Sequence, residues 1–529
     1  MRHKKPARKA PSGARVPTDG PSTVASPTTI DGSLIASISG LPDPGDSVGI
    51  EEQVQKMPND NFDADIVVIG SGPGGYVAAI RSAQLGVKTV CIENGFLGGT
   101  CLNWGCIPSK ALIASVERLG HAKHADKLGI KGADLATLDF DAVIARKEKI
   151  VLTQRGGVGM LFKKNGVRHV EGFASFKDPH TVEVTQDGKV VETLRAKNFV
   201  LAMGSSVIRL DIPGLKGGKD ENVWTSDEAV NAPFVPKRML ILGGGAVGVE
   251  FAYVFSGMGS EVTVVEMMPS LIPLMDSELG AELSKSLSRQ GIKIKTGATL
   301  EKCERKGKGW LCHVKKGTDH EKIEVDVVLL GVGRKANVEG MNLDRIGVQL
   351  HRRGVQTVDD TLVTHVPHIY AVGDVRGHIQ LAHVASAEGI CAVQNIVQGT
   401  AKKMDFKAVP SCVYTVPEVA TVGLSQSEAE TQGFDVTVGK FYFRANGKAM
   451  AIGEQEGFVK VVCERKYGEV LGVHMIGPHV TDMIHEGVVA LKLEATLDYM
   501  IDTIHAHPTL GEVMLEAFED AAGHSIHKL

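Results

Sequence analysis

Cys101 and Cys106 lie in the stretch Gly98-Gly99-Thr100-Cys101-Leu102-Asn103-Trp104-Gly105-Cys106-Ile107-Pro108-Ser109-Lys110. A dithiol at this spacing can open and close as a disulfide; the plainer alternative is two buried structural cysteines. Pro108 suits a first helical turn, where its missing N–H leaves no partner unpaired, and Lys110 falls in the same turn. Cys106 is therefore expected near a helix N-terminus, where the positive end of the helix dipole and the ammonium both favour a thiolate. A disulfide needs Cα atoms roughly 4.4–6.8 Å apart. Five residues of regular helix span more than that, so the backbone near Gly105 must be distorted.

Positioning such a pair requires a scaffold, and the chain supplies two copies of one pattern. Ile66-Val67-Val68-Ile69 reads as a strand, Gly70-Ser71-Gly72-Pro73-Gly74-Gly75 as a turn, the Ala-rich run to Gly86 as a helix, and Thr89–Glu93 as a second strand. In this pattern Gly70 permits the tight turn, Gly72 lets a pyrophosphate approach the backbone and Gly75 lets helix pack on strand. Glu93, about 20 residues on, can take ribose hydroxyls. The pattern returns as Met239–Leu242, the turn Gly243-Gly244-Gly245-Ala246-Val247-Gly248, a helix through Gly257, and Val262–Glu266. Two such units imply two dinucleotides. Glu266 would bond a free 2′-hydroxyl and repel a 2′-phosphate, and Met267 and Met268 offer no cation, so NAD is favoured over NADP. Elsewhere a helix is expected over 139–165, short strands over 167–176 and 182–185, and an apolar strand closing on Gly204-Ser205. Further strands are expected at 327–330 and 369–372, and a helix opening at Gln380-Leu381-Ala382-His383. Alternating runs after about Phe406 suggest an antiparallel sheet with helices.

The 529 residues are too many for one core, and 43% hydrophobic residues with 61 glycines fit an α/β protein. A net charge of -4 supplies no general field for nucleic acid, and no apolar run reaches the roughly 20 residues of a membrane span, so a soluble chain is expected. Cys91, Cys303, Cys312, Cys391, Cys412 and Cys463 read as scattered, without metal-ligand spacing, and no metal is expected. A reducing, cytoplasmic compartment follows as the default. Residues 1–60, basic at first and rich in Pro, Ser and Thr, read as a disordered tail, with an organelle transit peptide (mitochondrial matrix or plastid) or a docking arm as alternatives.

Gly-Gly-Thr-Cys-Leu-Asn-x-Gly-Cys-Ile-Pro-Ser-Lys resembles the redox loop of the flavin-dependent pyridine-nucleotide disulfide oxidoreductases, most of all the branch that oxidises dihydrolipoamide. The resemblance runs from about Asp65 to Ala522. It implies an α/β fold with two Rossmann-like dinucleotide-binding domains, for FAD and NAD, plus a C-terminal α+β dimerisation domain. The implied division is 61–220 and 351–405 for FAD, 221–350 for NAD and 406–529 for the interface.

By the same resemblance, FAD lies against Gly70, Gly72, Gly75, Glu93, Thr100, Lys110, Gly172, Gly204, Ser205, Asp374 and Gln380, Leu381, Ala382, His383, and NAD against Gly243, Gly245, Gly248, Glu250, Glu266 and Gly333. Cys101 becomes the interchange sulfur, Cys106 the sulfur facing the flavin, and Lys110 offsets negative charge there. Glu250 is implied as an acid near Lys110, against the plainer reading of a solvated helix residue. His507 in His505-Ala506-His507-Pro508 is implied as the base, oriented by Glu512 and serving the other subunit's disulfide. The chemistry agrees, since imidazole titrates near neutral pH and a carboxylate fixes its tautomer. His505 reads as an ordinary surface histidine, and Pro508 admits a cis peptide. Met203 stands where the family usually has Thr, and Ala336 where it often has Pro.

The implied activity is oxidation of protein-bound dihydrolipoamide with reduction of NAD. The implied partners are a second copy of the chain, the lipoyl domains and E2 core of 2-oxoacid dehydrogenase complexes, and the lipoyl protein of glycine cleavage. The competing readings are a glutathione- or mercuric-reductase-like enzyme, disfavoured by the missing basic residues after Glu266 and the missing C-terminal cysteine pair, and a redox-inactive flavoprotein scaffold.

Overall fold

Ala64–Ile69 has the composition of a strand buried on both faces, and in the computed structural model it lies between two parallel neighbours. The structure describes residues 61–215 and 221–528, so the expected tail over 1–60 lies outside the described residues. In the first sheet, strands Arg168–Glu171, Thr89–Glu93, Ala64–Ile69 and the end of Lys189–Leu201 run parallel. Ile369–Ala371 returns from far along the chain to pair in parallel with Phe199–Leu201. Phe173–Asp178 and Thr181–Gln186 continue the sheet antiparallel. Helix Pro73–Gln84 packs on this sheet beneath helix Ala382–Gln398: a Cβ on Gly389 would stand 2.4 Å from Gly74 O, so the two helices meet at bare backbone.

The expected helix over 139–165 is Phe140–Asn165, opened by Asp139, whose carboxylate accepts from the Ala142 N–H, and closed by Gly166 in the left-handed region.

A second parallel sheet has the order Lys293–Thr296, Glu261–Glu266, Arg238–Leu242, Val327–Leu330, Val223–Trp224. Between its strands the chain inserts a three-stranded antiparallel sheet, Thr299–Lys306, Gly309–Lys316 and Asp319–Val325, which the sequence reading missed.

The C-terminal sheet is antiparallel, as expected, in the order Ser411–Val413, Glu418–Gly423, Val470–Gly477, Phe458–Glu464, Val436–Tyr442. Its two central strands are buried at nearly every position rather than alternately. Val459, Val461, Val473 and Met475 join a core with helices Val480–Lys492 and Glu512–Ala521. Phe458, Ile476, Val413 and Val419 face the other way and join the core of the second nucleotide unit. Lys460, 3% exposed, crosses the same boundary to Asp276 (2.9 Å) and Glu278 (2.7 Å) at the head of helix Ser277–Arg289. Removing one partner of so buried a pair costs about 3–5 kcal/mol. No helix among the described residues is long and apolar enough to cross a membrane.

Candidate functional site

The redox loop departs from regular helix where the spacing of its cysteines demands it. Gly98 (φ 93°) and Gly99 (φ 56°) turn the chain through the left-handed region into the short helix Gly99–Asn103. Trp104 (φ −148°) and Gly105 (φ −120°, ψ −113°) break that helix, and Cys106 begins the helix Cys106–Lys123. A Cβ on Gly105 would lie 3.0 Å from Thr100 O. Asn103, which the sequence reading passed over, fastens the loop: its amide donates to Gly99 O (2.8 Å) and Leu97 O (3.0 Å) and its oxygen accepts from Arg155 Nε (2.9 Å).

Both cysteines are free thiols, Cys101 half-buried and Cys106 exposed. The hydrogen bond between them, aided by the Lys110 ammonium, brings Cys106 down to about 7. The same bond, together with burial, pushes Cys101 far up. Of the two sulfurs, Cys106 is the one favoured as thiolate.

Lys110 Nζ donates to both oxygens of Glu250 (3.0 and 2.8 Å) and stands 4.4 Å over the Tyr414 ring. Tyr414 N–H also donates to Glu250 (3.1 Å). Glu250 is therefore no solvated helix residue: its side chain is 9% exposed and neutralised in place. Tyr414, from the C-terminal sheet's leading segment, was not singled out in the sequence.

Arg334 was missed as well, although it follows the expected Gly333 (φ 112°) directly. Its guanidinium donates to Ser205 Oγ (2.7 Å), Ser205 O (2.7 Å) and Thr100 Oγ1 (3.4 Å), while Ser205 Oγ donates to Asp374. Thr100, Ser205 and Asp374 thus meet around one cation. The Gly204-Ser205 turn is held there by the antiparallel pair Ser205–Val207 with Arg334–Ala336. Met203 contributes a backbone oxygen, accepting from Asn337 Nδ2 (2.9 Å), so its departure from Thr leaves this contact intact. Below Asp374, Gly373 (φ 72°) donates its N–H to Glu388, which pairs with buried Arg376. Helix Ala382–Gln398 follows with Leu381 at its N-cap and no side chain capping it; His383 shares a hydrogen bond with Pro410 O (2.9 Å).

Each glycine turn is built as its sequence predicts. A Cβ on Gly75 would meet Gly70 O at 1.8 Å, and one on Gly248 would meet Gly243 O at 1.9 Å. Gly72 and Gly245 instead have open space where a side chain would stand, and the helices behind them start without a side-chain cap. An anion fits such a cradle. Glu93 accepts from Ser71 N–H and Oγ (both 2.7 Å) and from Gly95 N–H (2.8 Å). Glu266 accepts from Gly244 N–H (2.6 Å) and Met268 N–H (2.7 Å). Gly172 (φ 141°) lies where the strands on either side of it divide.

The histidine loop forms a separate cluster at the head of helix Glu512–Ala521. His507 Nδ1 lies 2.8 Å from Glu512 Oε1, and Thr509 N–H donates to Oε2 (2.9 Å). Burial pushes the Glu512 carboxyl up, but these hydrogen bonds outweigh it and hold the group below its ordinary range. The imidazole of His507 is 79% exposed, and the His507–Pro508 peptide is cis. The surface reading of His505 is corrected. Its side chain is 9% exposed and Nε2 lies 3.0 Å from Glu486 on helix Val480–Lys492, a bond that raises its pKa.

Residues 64–389 match the family described as pyridine nucleotide-disulphide oxidoreductase, and residues 409–518 match the dimerisation domain of that family. The chain is 41% identical over 476 residues to a dihydrolipoyl dehydrogenase of Rhizobium etli, covering 87% of this chain and 98% of the relative. It is 42% identical over 468 residues to one of Thermus scotoductus, covering 88% and 99%. Among solved structures it is similar to the HOCl-induced flavoprotein disulfide reductase RclA from Escherichia coli, with a TM-score of 0.76 at 25% identity over 86% of this chain and 99% of that one.

Proposed function

The chain belongs to the pyridine nucleotide-disulphide oxidoreductase family, and on that premise we propose that it oxidises protein-bound dihydrolipoamide to lipoamide and reduces NAD. The observation that carries this reading is the geometry at the second cysteine: Cys106 opens helix Cys106–Lys123, with Lys110 in the same first turns held by both oxygens of Glu250, so Cys106 is the sulfur favoured as thiolate. That asymmetry speeds thiol–disulfide exchange, because the lower-pKa sulfur leaves faster. The names of the relatives support the choice of dithiol.

His507, its tautomer set by Glu512, accepts a proton from one substrate thiol. The substrate thiolate attacks Cys101 Sγ of the closed Cys101–Cys106 disulfide; the Cys–Cys bond breaks and Cys106 departs as the thiolate. The second substrate thiolate then attacks the substrate sulfur bound to Cys101, which closes the substrate disulfide and releases Cys101. Lys110, held by Glu250, keeps a positive charge beside the newly charged sulfur.

FAD, held at the first glycine turn, would supply two-electron redox chemistry between the dithiol and NAD. Gly70, Gly72, Gly75, Glu93, Thr100, Ser205 and Asp374 would hold the flavin nucleotide, with Arg334 aligning the last three. Gly243, Gly245, Gly248, Glu266 and Gly333 would hold NAD. The first sheet with its return strand serves as the FAD domain (61–220 and 351–405), the second as the NAD domain (221–350), and residues 406–529 as the interface. The exposed His507 supports a homodimer in which each chain's histidine serves the other's disulfide. Lipoyl domains on the E2 core of a 2-oxoacid dehydrogenase complex, or the glycine-cleavage lipoyl protein, would deliver substrate in the cytoplasm.

The deciding experiment compares NAD with NADP for dihydrolipoamide oxidation, and NADH with NADPH for glutathione-disulfide reduction. Rapid NAD-linked dihydrolipoamide oxidation is expected. NADPH-linked reduction of glutathione disulfide without lipoamide activity would replace this reading with a reductase.

A further inference from the structure

Two of the cysteines that look scattered in the sequence are neighbours. Cys303 and Cys312 are directly opposed on the antiparallel strands Thr299–Lys306 and Gly309–Lys316, and their Sγ atoms are 3.6 Å apart. Cys303 N–H points away from the partner strand, donating to Pro213 O (2.8 Å), so the two residues form the non-hydrogen-bonded, closely spaced kind of cross-strand pair. Such pairs bring Cα atoms to about 4.5 Å, within the range a disulfide spans. Both side chains are buried in one apolar cluster with Trp310 and Val314, apart from the Cys101–Cys106 loop.

We propose that Cys303 and Cys312 are a second redox pair, which a peroxide closes into a cross-strand disulfide. One thiolate attacks a peroxide oxygen, giving a sulfenic acid and water. The opposing thiol attacks that sulfur, forming the S–S bond and releasing a second water. Two cysteine thiols and one hydrogen peroxide become one disulfide and two waters. The reaction is slow, because the contact with Cys303 and burial both hold the proton on Cys312. The bond staples the strand on which the link between the two nucleotide units rests: a Cβ on Gly214 would lie 1.7 Å from Cys303 O.

The test is prolonged exposure of the folded full chain to hydrogen peroxide, followed by quenching, blocking of free thiols under denaturing conditions, and tryptic mapping. Cleavage after Arg305, Lys306 and Lys308 separates the two cysteines, so the disulfide reads as Cys303-Glu304-Arg305 linked to Gly309–Lys315. The linked pair is expected in most of the chains, to vanish on dithiothreitol treatment, and to form equally in the Cys101→Ser/Cys106→Ser variant. Recovery of Cys303 and Cys312 as blocked thiols or as separate sulfinic acids, or their linkage to Cys91, Cys391 or Cys463, would overturn the proposal. Neither result bears on the proposed dithiol oxidation at Cys101 and Cys106.

Discussion

The two glycine turns have the same strand-to-helix geometry but different surroundings. At Gly70–Gly75 the redox loop closes over the turn: Gly98 N–H donates to Ser71 O (3.0 Å), and a Cβ on Gly99 would reach within 2.6 Å of Gly72 Cα. Helix Ala382–Gln398 covers the helix behind it. At Gly243–Gly248 the segment after Glu266 makes the matching bond, Ile272 N–H to Gly244 O (2.8 Å), but Val247 at the start of the helix is exposed where its counterpart Gly74 is buried under helix Ala382–Gln398. An enclosed cradle suits a nucleotide that stays, and an open one suits a nucleotide that comes and goes. The two turns share a motif and differ in what packs against the first residues of the helix behind each.

Cys106→Ser and Cys101→Ser should each have the largest effect, lowering dihydrolipoamide turnover by roughly 10³-fold or more while leaving the yellow colour of bound flavin. Steady-state rates and the absorption spectrum check this together. Gly75→Ala against Gly248→Ala sharpens the contrast directly. The first should yield colourless protein with under about a tenth of the activity; the second should stay yellow and raise KM for NAD about tenfold. Equal loss of flavin in both would erase the distinction drawn between the turns.

Reduced protein should react with iodoacetamide at Cys106 with a midpoint near pH 7, since only the thiolate reacts and the lowered pKa makes it available at lower pH. A midpoint near 9 would contradict the charge asymmetry. The smallest effect is expected from His505→Asn, which removes the bond to Glu486: roughly a two- to fivefold fall in kcat, with KM for NAD unchanged.

Much of this was legible in the chain because local backbone demands residue types. Both nucleotide turns, the break at Gly105, the helix start at Cys106 and the return strand at Ile369 stand where the sequence placed them. What escaped notice depends on contacts between distant segments. Arg334 matters because it meets Ser205, Thr100 and Asp374, Tyr414 because it meets Lys110 and Glu250, and His505 because Glu486 lies on another helix. None has a periodic or spaced signature. The inner C-terminal strands differ in another way: they read as alternating runs, whereas a second unit covers their outer face and buries them at nearly every position.

That shared covering has a practical meaning for anyone wishing to take the molecule apart. A fragment ending before Ser411 would lay bare the oily side of the second nucleotide unit and strand Asp276 and Glu278 without their ammonium, so it should clump rather than fold. What reads along the chain as a string of separable modules is, mechanically, a body whose last piece is a wall of the room before it.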